Sequence, residues 1–243
     1  MKTMRTRSEL KAHVKQTYKG NWGKAIGINI LPIIGAIFSV VGVGALVAIT
    51  VVALKTGVVD PNHLSDSNGG TSSGMVVNII GTMIATGIAY SLLDWLRTGE
   101  QPASAVKAMF AVFSKQYFIP VLVLFIIRTI FEFFWTLLFI IPGIIKSYSY
   151  SQTYFIYKDC LASGRNEDMN YLDYVTESRK LMKGHKFELF VLQLSFLGWA
   201  ILSVLTLGIG FIWLIPYING VMAEFYNDLA GDKFTNRQFT KNY

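Results

Sequence analysis

The chain has 243 residues, of which 52% are hydrophobic and only 15% are charged, and its formal net charge at pH 7 is +7. A soluble domain of this length carries about 25% charged residues, so the composition argues against a large soluble core. A positive charge is typical of nucleic-acid binding in soluble proteins, but here the basic residues lie between long apolar runs. We therefore expect an integral membrane protein without a nucleic-acid partner.

Six apolar stretches predict six transmembrane helices, because about 20 residues of helix cross a bilayer core. In chain order they cover roughly residues 25–54, 75–95, 110–130, 132–155, 187–206 and 208–228. Only "RTIFE" separates the third stretch from the fourth, and only "TLGIG" separates the fifth from the sixth, so both predict tight outer turns. The expected fold class is all-α: a single domain over residues 1–230 whose six transmembrane helices form three hairpins.

The distribution of lysine and arginine indicates the orientation of these helices. Of the 22 basic residues, only Lys55 and Arg128 fall on the proposed outer side. Because cytoplasmic segments are enriched in these residues, we expect both termini to be cytoplasmic in a multi-pass plasma-membrane protein. Residues 55–74 are then a flexible extracellular loop, 156–186 a cytoplasmic amphipathic segment, and 231–243 a cytoplasmic tail.

Each predicted hairpin follows a short basic segment, and each segment predicts an amphipathic helix on the cytoplasmic side. The three segments are "SELKAHVKQTYKGNWGKAI", "QPASAVKAMFAVFSKQYFI" and "NYLDYVTESRKLMKGHKFELF". In the first, Leu10, Val14 and Tyr18 share a face that we expect to contact acyl chains, with lysines directed toward anionic headgroups. The alternative is that basic flanks merely stop translocation. The predicted anionic-lipid contacts are Lys11, Lys15, Lys19, Lys183 and Lys186.

Proline and glycine predict interruptions in the spanning helices. Proline lacks a backbone donor and clashes with the preceding turn, so an interior proline kinks a helix. The predicted kinks lie at Pro32, Pro142, Gly143 and Pro216. Such breaks are either ordinary bends or, as in some transporters, parts of a binding site.

One helical face after Pro142 carries Lys146, Tyr150 and Tyr154. The first interpretation is an aromatic belt at the headgroups, with Lys146 near phosphates. The second is a polar groove in which Lys146 pairs with an acidic residue of another span and holds a lipid headgroup or a small polar solute. The candidate residues for that groove are Lys146, Tyr150, Tyr154, Asp94, Glu188, Asn219 and Glu224.

The sequence lacks the short motifs of common enzymes, including GxSxG, HExxH and the P-loop. The histidines at 13, 63 and 185 have no metal-ligand spacing, and Asp60, His63 and Asp66 lie in the predicted flexible loop. We therefore expect no enzymatic activity, no cofactor and no metal.

Four stretches resemble a bacterial family of membrane proteins classed as a domain of unknown function, number 975. They are "PGIIKSYSY" from Pro142, "SRKLMKG" from Ser178, "SFLGW" from Ser195, and "PY" at Pro216 and Tyr217. The resemblance extends over about residues 5–230. It implies a six-helix membrane protein of a bacterial cell and no particular activity.

Taken together, these patterns predict a non-enzymatic membrane protein that binds lipid or a membrane protein partner, with an envelope-related accessory role. Self-association into a homo-oligomer is compatible with the same patterns. The alternative hypotheses are a small transporter or channel, and a membrane subunit of a transport complex.

Overall fold

The computed structural model describes residues 4–56, 71–138 and 140–235 of the chain. Within these ranges the protein is all-helical, without a strand. The α-helices are α1 (Arg7–Tyr18), α2 (Trp22–Ile28), α3 (Ile30–Thr56), α4 (Thr71–Thr98), α5 (Ala105–Met109), α6 (Phe118–Leu138), α7 (Ile140–Tyr150), α8 (Thr153–Ala162), α9 (Tyr171–Leu181), α10 (Lys186–Leu194), α11 (Leu197–Leu205) and α12 (Phe211–Ala230). Most of the predicted outer loop and of the predicted tail lies outside the described residues.

Four described stretches are long and apolar enough to cross a membrane. They are Ile30–Ala53, Val77–Thr98, Phe118–Leu138 and Lys186–Leu205. The other two predicted spans coincide with α7 and α8, which are separated after Tyr150, and with α12, whose last turns carry Glu224 and Asp228. An all-helical membrane protein is thus supported by these four stretches, whereas six spans in three hairpins stay a prediction.

The predicted outer turn at "RTIFE" is wrong, because α6 continues through it to Leu138. Arg128 and Glu132 are four residues apart and form an ion pair of 2.9 Å, which suits a continuous helix. Instead, α7 begins at Ile140 and packs back along α6. At Gly143 a Cβ atom would lie 3.0 Å from Thr136 Cα, so the absent side chain permits this close approach. The predicted turn at "TLGIG" does separate α11 from α12.

The predicted kinks at Pro32 and Pro142 are helix beginnings instead. Each proline is the third residue of its helix, where a backbone N–H has no intrahelical acceptor to lose. The two helices begin at Ile30, directly after Asn29, and at Ile140. Gly143 belongs to the contact between α6 and α7. Pro216, by contrast, lies inside α12 as predicted from its position.

The three predicted amphipathic segments contain α1, α5 and α9, but the apolar face of α1 does not point outward. Leu10, Val14 and Tyr18 are at most 1% exposed because they pack against α12. At Gly220 of α12 a Cβ atom would lie 2.8 Å from Val14 Cγ1. The expectation that this face contacts acyl chains is therefore wrong, since the small residue in α12 lets α1 dock against protein.

A dense aromatic core joins the last turns of α4 and α12 to α8. Tyr18 and Trp95 are fully buried with ring centroids 5.1 Å apart, and Phe155 stacks on Tyr226 at 4.8 Å. Large apolar side chains are exposed along α3 and α11 instead. Exposed apolar surface of this extent is typical of helices that face lipid or a partner protein.

Candidate functional site

An apolar groove of about 620 Å³ lies between α1, α11 and the first half of α12. Its length follows α11, since Phe196 and Thr206 lie at opposite ends of this helix, about 15 Å apart at 1.5 Å per residue. The side chains that line the groove are apolar except at a few positions. They include Lys11, Lys15, Trp22, Phe196, Trp199, Thr206, Trp213 and Tyr217.

The break between α10 and α11 shapes one end of the groove. Ser195 ends α10, and its hydroxyl accepts a hydrogen bond of 2.6 Å from Lys11 Nζ. Phe196 turns inward, is 3% exposed and packs edge-on against Tyr217 with centroids 5.7 Å apart. Lys11 Nζ stands 4.3 Å from the centroid of the Phe196 ring. A cation over the face of an aromatic ring therefore marks this end of the groove.

The opposite end of the groove is closed by the turn between α11 and α12. Leu207 and Gly208 both have positive φ, at 53° and 89°, and the Gly208 N–H donates to Ser203 O at 2.8 Å. A left-handed pair of residues ends α11 and reverses the chain into α12. A Cβ atom at Gly208 would lie 3.3 Å from Ile37 Cα, so the turn rests directly on α3.

Two lysines on α1 give the groove a cationic end. Lys15 Nζ lies 5.5 Å from the centroid of the Tyr217 ring, one helical turn from Lys11. Within the described ranges neither lysine forms an ion pair with an acidic side chain. Burial, and then the charges of Lys15 and Arg7, lower the pKa of Lys11. An anion bound here would reverse that effect, because it would stabilise the charged form of the amine.

Three tryptophans form the apolar walls. Trp199 and Trp213 are 63% and 53% exposed, so their rings offer surface rather than fill the core. Trp22 packs edge-on against the buried ring of Tyr18 at 5.4 Å and thereby connects the groove wall to the core. Tryptophan suits the border between an apolar medium and water, since its ring is apolar and its N–H is polar.

The residues of the predicted polar groove are distributed over separate contacts in the structure. Lys146 lies over the Trp135 ring at 4.1 Å and is not paired with Asp94, Glu188 or Glu224. Tyr150 is buried against Phe131. The packing of α7 back along α6 explains this placement, because it sets Lys146 opposite Trp135.

The acidic residues and the amide of that predicted groove have other partners. Asp94 pairs with Lys158, and Glu188 with His185 at 2.7 Å. Asn219 donates to Asn29 Oδ1 at 2.6 Å. Glu224 pairs with Arg5, and Tyr154 lies under the guanidinium of Arg128 at 5.3 Å. The candidate residues therefore do not form one groove around Lys146.

A largely buried polar network that the sequence did not indicate connects α4, α8 and α12 with Arg5, which precedes α1. Arg97 binds both oxygens of Asp159 at 2.6 and 2.9 Å and also donates to Asn227 Oδ1 at 2.9 Å. Asn227 in turn donates to Glu224, which Arg5 also contacts. These charges are satisfied by one another, so the network stabilises the helix packing and leaves few groups for a ligand.

The groove itself was only partly visible in the sequence. Lys11 and Lys15 were predicted as lipid contacts, but the apolar wall opposite them was not. Its residues lie in the stretches "SFLGW" and "WLIPY", which are more than 175 positions from α1 in the chain. Tryptophans in two consecutive apolar helices were the available signal. Lys19 and Lys183, also predicted as lipid contacts, are exposed outside the groove, and Lys186 begins α10.

The fold and the groove define an all-helical membrane protein with an apolar, cation-ended cleft. The sequence matches the family model described as Protein of unknown function (DUF975) over residues 4–152 and 138–233. The chain therefore belongs to this family. Comparisons with curated proteins and with solved structures give no match.

Proposed function

We propose that this protein binds an anionic phospholipid in the groove, with the phosphate at Lys11 and Lys15 and an acyl chain along the tryptophans. The observation that carries the proposal is a pair of lysines without an acidic partner in the described chain, placed at one end of an apolar cleft. Amphiphilic geometry of this kind matches an amphiphilic ligand.

The charge of the groove favours an anionic lipid over a zwitterionic one. A basic residue near an anionic membrane surface contributes about 1 kcal/mol of attraction, so Lys11 and Lys15 together contribute about 2 kcal/mol. That corresponds to about a 30-fold preference. Burial strengthens the attraction between Lys11 and the phosphate further, because a partly desolvated amine gains more from a counter-ion than an exposed amine does.

The apolar walls contribute shape rather than selectivity. Bulk lipid is as apolar as leucine or phenylalanine, so transfer of an acyl chain from bilayer to groove changes little hydrophobic free energy. What the groove offers is a cleft about 15 Å long that begins at the lysines and ends at the turn after α11. The headgroup therefore decides which lipid binds, and the cleft decides where it binds.

The role that we propose is non-enzymatic, and the state of the reactive side chains supports it. The Cys160 thiol is buried, and burial raises its pKa to about 12, so it is protonated at neutral pH. Glu224 and Asp159 are engaged by arginines. We propose that the protein lies in a bacterial plasma membrane with both termini cytoplasmic, so that the lysines of α1 contact the anionic leaflet. The role that we propose for it is an accessory one in the cell envelope.

The proposal is tested by native mass spectrometry of the protein released from nanodiscs that contain equal amounts of phosphatidylglycerol and phosphatidylcholine. The double variant Lys11→Gln, Lys15→Gln should retain about 30-fold less phosphatidylglycerol than the wild type. The matched control is Lys19→Gln, Lys183→Gln, which changes the net charge equally but lies outside the groove.

The control decides between a site and a general surface effect. If both double variants lose phosphatidylglycerol to the same degree, attraction to the whole basic surface explains binding and the groove does not. If neither variant loses it, an anionic headgroup at α1 is ruled out. A loss confined to the groove variant supports the proposal.

A further inference from the structure

A second polar feature lies in the middle of α6. Arg128 is the eleventh of the 21 residues of this apolar helix, so it is about 15 Å from either end. Its Nη2 and Nε atoms both bind Glu132 Oε1, at 2.9 and 3.1 Å. Ionisable residues at such a position in a spanning helix are costly, and they commonly serve a function. The sequence-based interpretation had placed Arg128 in an outer turn, where it needed no explanation.

Two cavities meet at this ion pair. A cavity of about 780 Å³ lies toward α4, and one of about 430 Å³ lies between the α6–α7 pair and α10. Both volumes are within the range of small-molecule sites. The side chains of Arg128 and Glu132 are 21% and 30% exposed, so both border open space. The smaller cavity is lined by Arg128, Glu132, Thr136, Gly143, Ser147, Tyr148, Ser151 and Gln193, among others.

The smaller cavity has hydrogen-bonding groups that the protein itself does not use. Both bonds from Arg128 end on Oε1, which leaves Glu132 Oε2 without a donor in the described part of the chain. Among the described residues, the one contact of Gln193 Nε2 is with Met222 Sδ at 3.9 Å. Tyr148 already donates to Gln193 Oε1 at 2.8 Å, which orients this amide. An apolar occupant would leave these groups unsatisfied, at a cost in free energy.

The balance of charge selects the class of ligand. The pair is neutral, so a lone cation or anion would bury an excess charge, which is unfavourable. A zwitterion avoids this problem, because its ammonium can bind Glu132 while its anionic group binds Arg128. Each buried charge then keeps a partner of opposite sign throughout the exchange.

We propose that Arg128 and Glu132, with the amide of Gln193, bind a zwitterion that carries a primary ammonium and an anionic group. This chemistry occurs in the ethanolamine phospholipid headgroup and in free amino acids. The site is separate from the lysine groove on α1, since the two cavities share no lining residue.

The test uses nanodiscs that contain equal amounts of phosphatidylethanolamine and phosphatidylcholine. Glycine serves as the soluble probe. The two lipids differ at the nitrogen, and the trimethylated one has no N–H to donate to Glu132. Retained lipid is measured by native mass spectrometry, and glycine binding by calorimetry. The wild type should prefer phosphatidylethanolamine at least tenfold or bind glycine. Lipid preference alone identifies a headgroup site, and glycine binding identifies a solute site; either supports the zwitterion.

The variant Arg128→Gln, Glu132→Gln keeps the net charge and should abolish both signals. Its matched control is Glu177→Gln, Lys180→Gln, which removes the 2.8 Å ion pair on α9 and the 3.1 Å pair of Glu177 with Lys233, and should leave both signals intact. If the Arg128 variant does not fold, Gln193→Leu removes the amide while it retains the pair, and it should lower the preference. The proposal would be overturned if the wild type bound neither probe. It would also be overturned if both the Arg128→Gln, Glu132→Gln variant and the Gln193→Leu variant bound the probes as the wild type does.

Discussion

The carboxylate of Asp159 on α8 accepts two hydrogen bonds from the guanidinium of Arg97 on α4, at 2.6 and 2.9 Å. The Tyr226 hydroxyl on α12 donates a third bond to the same carboxylate at 2.6 Å. One buried anion thus links three helices, and the parallel bonds from Arg97 fix their relative position because a guanidinium and a carboxylate match in a plane.

The substitution Asp159→Asn should destabilise the protein by about 3 kcal/mol, since it removes the counter-ion of the partly buried Arg97 guanidinium. The measurement is the unfolding midpoint in mixed micelles with increasing SDS. Glu167→Gln is the control, because Glu167 is exposed. This variant should have the same unfolding midpoint as the wild type. An unchanged midpoint for Asp159→Asn would show that the pair is energetically neutral.

The contact between α1 and α12 predicts a strong effect of a single methyl group. In Gly220→Ala the new Cβ atom would lie 2.8 Å from Val14 Cγ1 and would overlap the Tyr18 side chain, so α1 must shift. Overpacking of this kind costs about 1–3 kcal/mol. Gly23→Ala on α2 meets no atom within 4 Å and serves as the matched control.

Two readouts follow the change at Gly220. The unfolding midpoint should fall, and retention of phosphatidylglycerol should fall with it, because Lys11 and Lys15 are positioned by the docked α1. If Gly220→Ala lowered stability but left lipid retention unaltered, lipid binding would not depend on the docking of α1. That result would contradict binding of the lipid in the groove.

Lipid binding should depend on pH through Lys11. Its pKa is lowered by burial and by the neighbouring positive charges, so its amine loses the proton below the pH of about 10.4 that is ordinary for lysine. Retention of phosphatidylglycerol should therefore fall as the pH rises toward that value. Lys11→Arg should weaken this dependence on pH, since a guanidinium stays charged. Parallel pH profiles for both proteins would contradict a role of Lys11.

The turn after α11 contains a residue under backbone strain. Leu207 has φ of 53°, a left-handed conformation that costs an L-residue roughly 1–2 kcal/mol. Leu207→Gly should raise the unfolding midpoint by removing that cost. Leu205→Gly, in the last turn of α11, should lower it by about 1 kcal/mol through helix propensity. A lower midpoint for Leu207→Gly would mean that its side chain contributes more than the strain costs.

The helices were largely predictable from local patterns, and the errors have physical causes. The turn at "TLGIG" was found because two glycines interrupt an apolar run. The turn at "RTIFE" was wrongly placed, because charged residues in an apolar stretch resemble a loop, whereas Arg128 and Glu132 neutralise each other within a helix. Pro142 lies in the first turn of α7, beyond the end of α6 at Leu138.

The apolar face of α1 was also predictable, since Leu10, Val14 and Tyr18 recur at helical spacing. The partner of that face could not be predicted, because a bilayer and a protein helix are equally apolar. Gly220, more than 200 residues away in the chain, favours the protein contact because it gives α1 a surface to pack on. Similarly, Lys146 was paired in prediction with carboxylates that in the structure are engaged by Arg5, His185 and Lys158.

The sequence by itself determined the class of this protein: helical, rich in apolar runs, basic between those runs, and a member of its family. These properties depend on composition and on periods of a few residues, which the chain carries locally. The tertiary structure decided which charges pair, where α6 ends and which lysines border a cleft. Those outcomes depend on contacts between distant residues, because burial and ion pairing are decided by the packing of whole helices and not by their order in the chain.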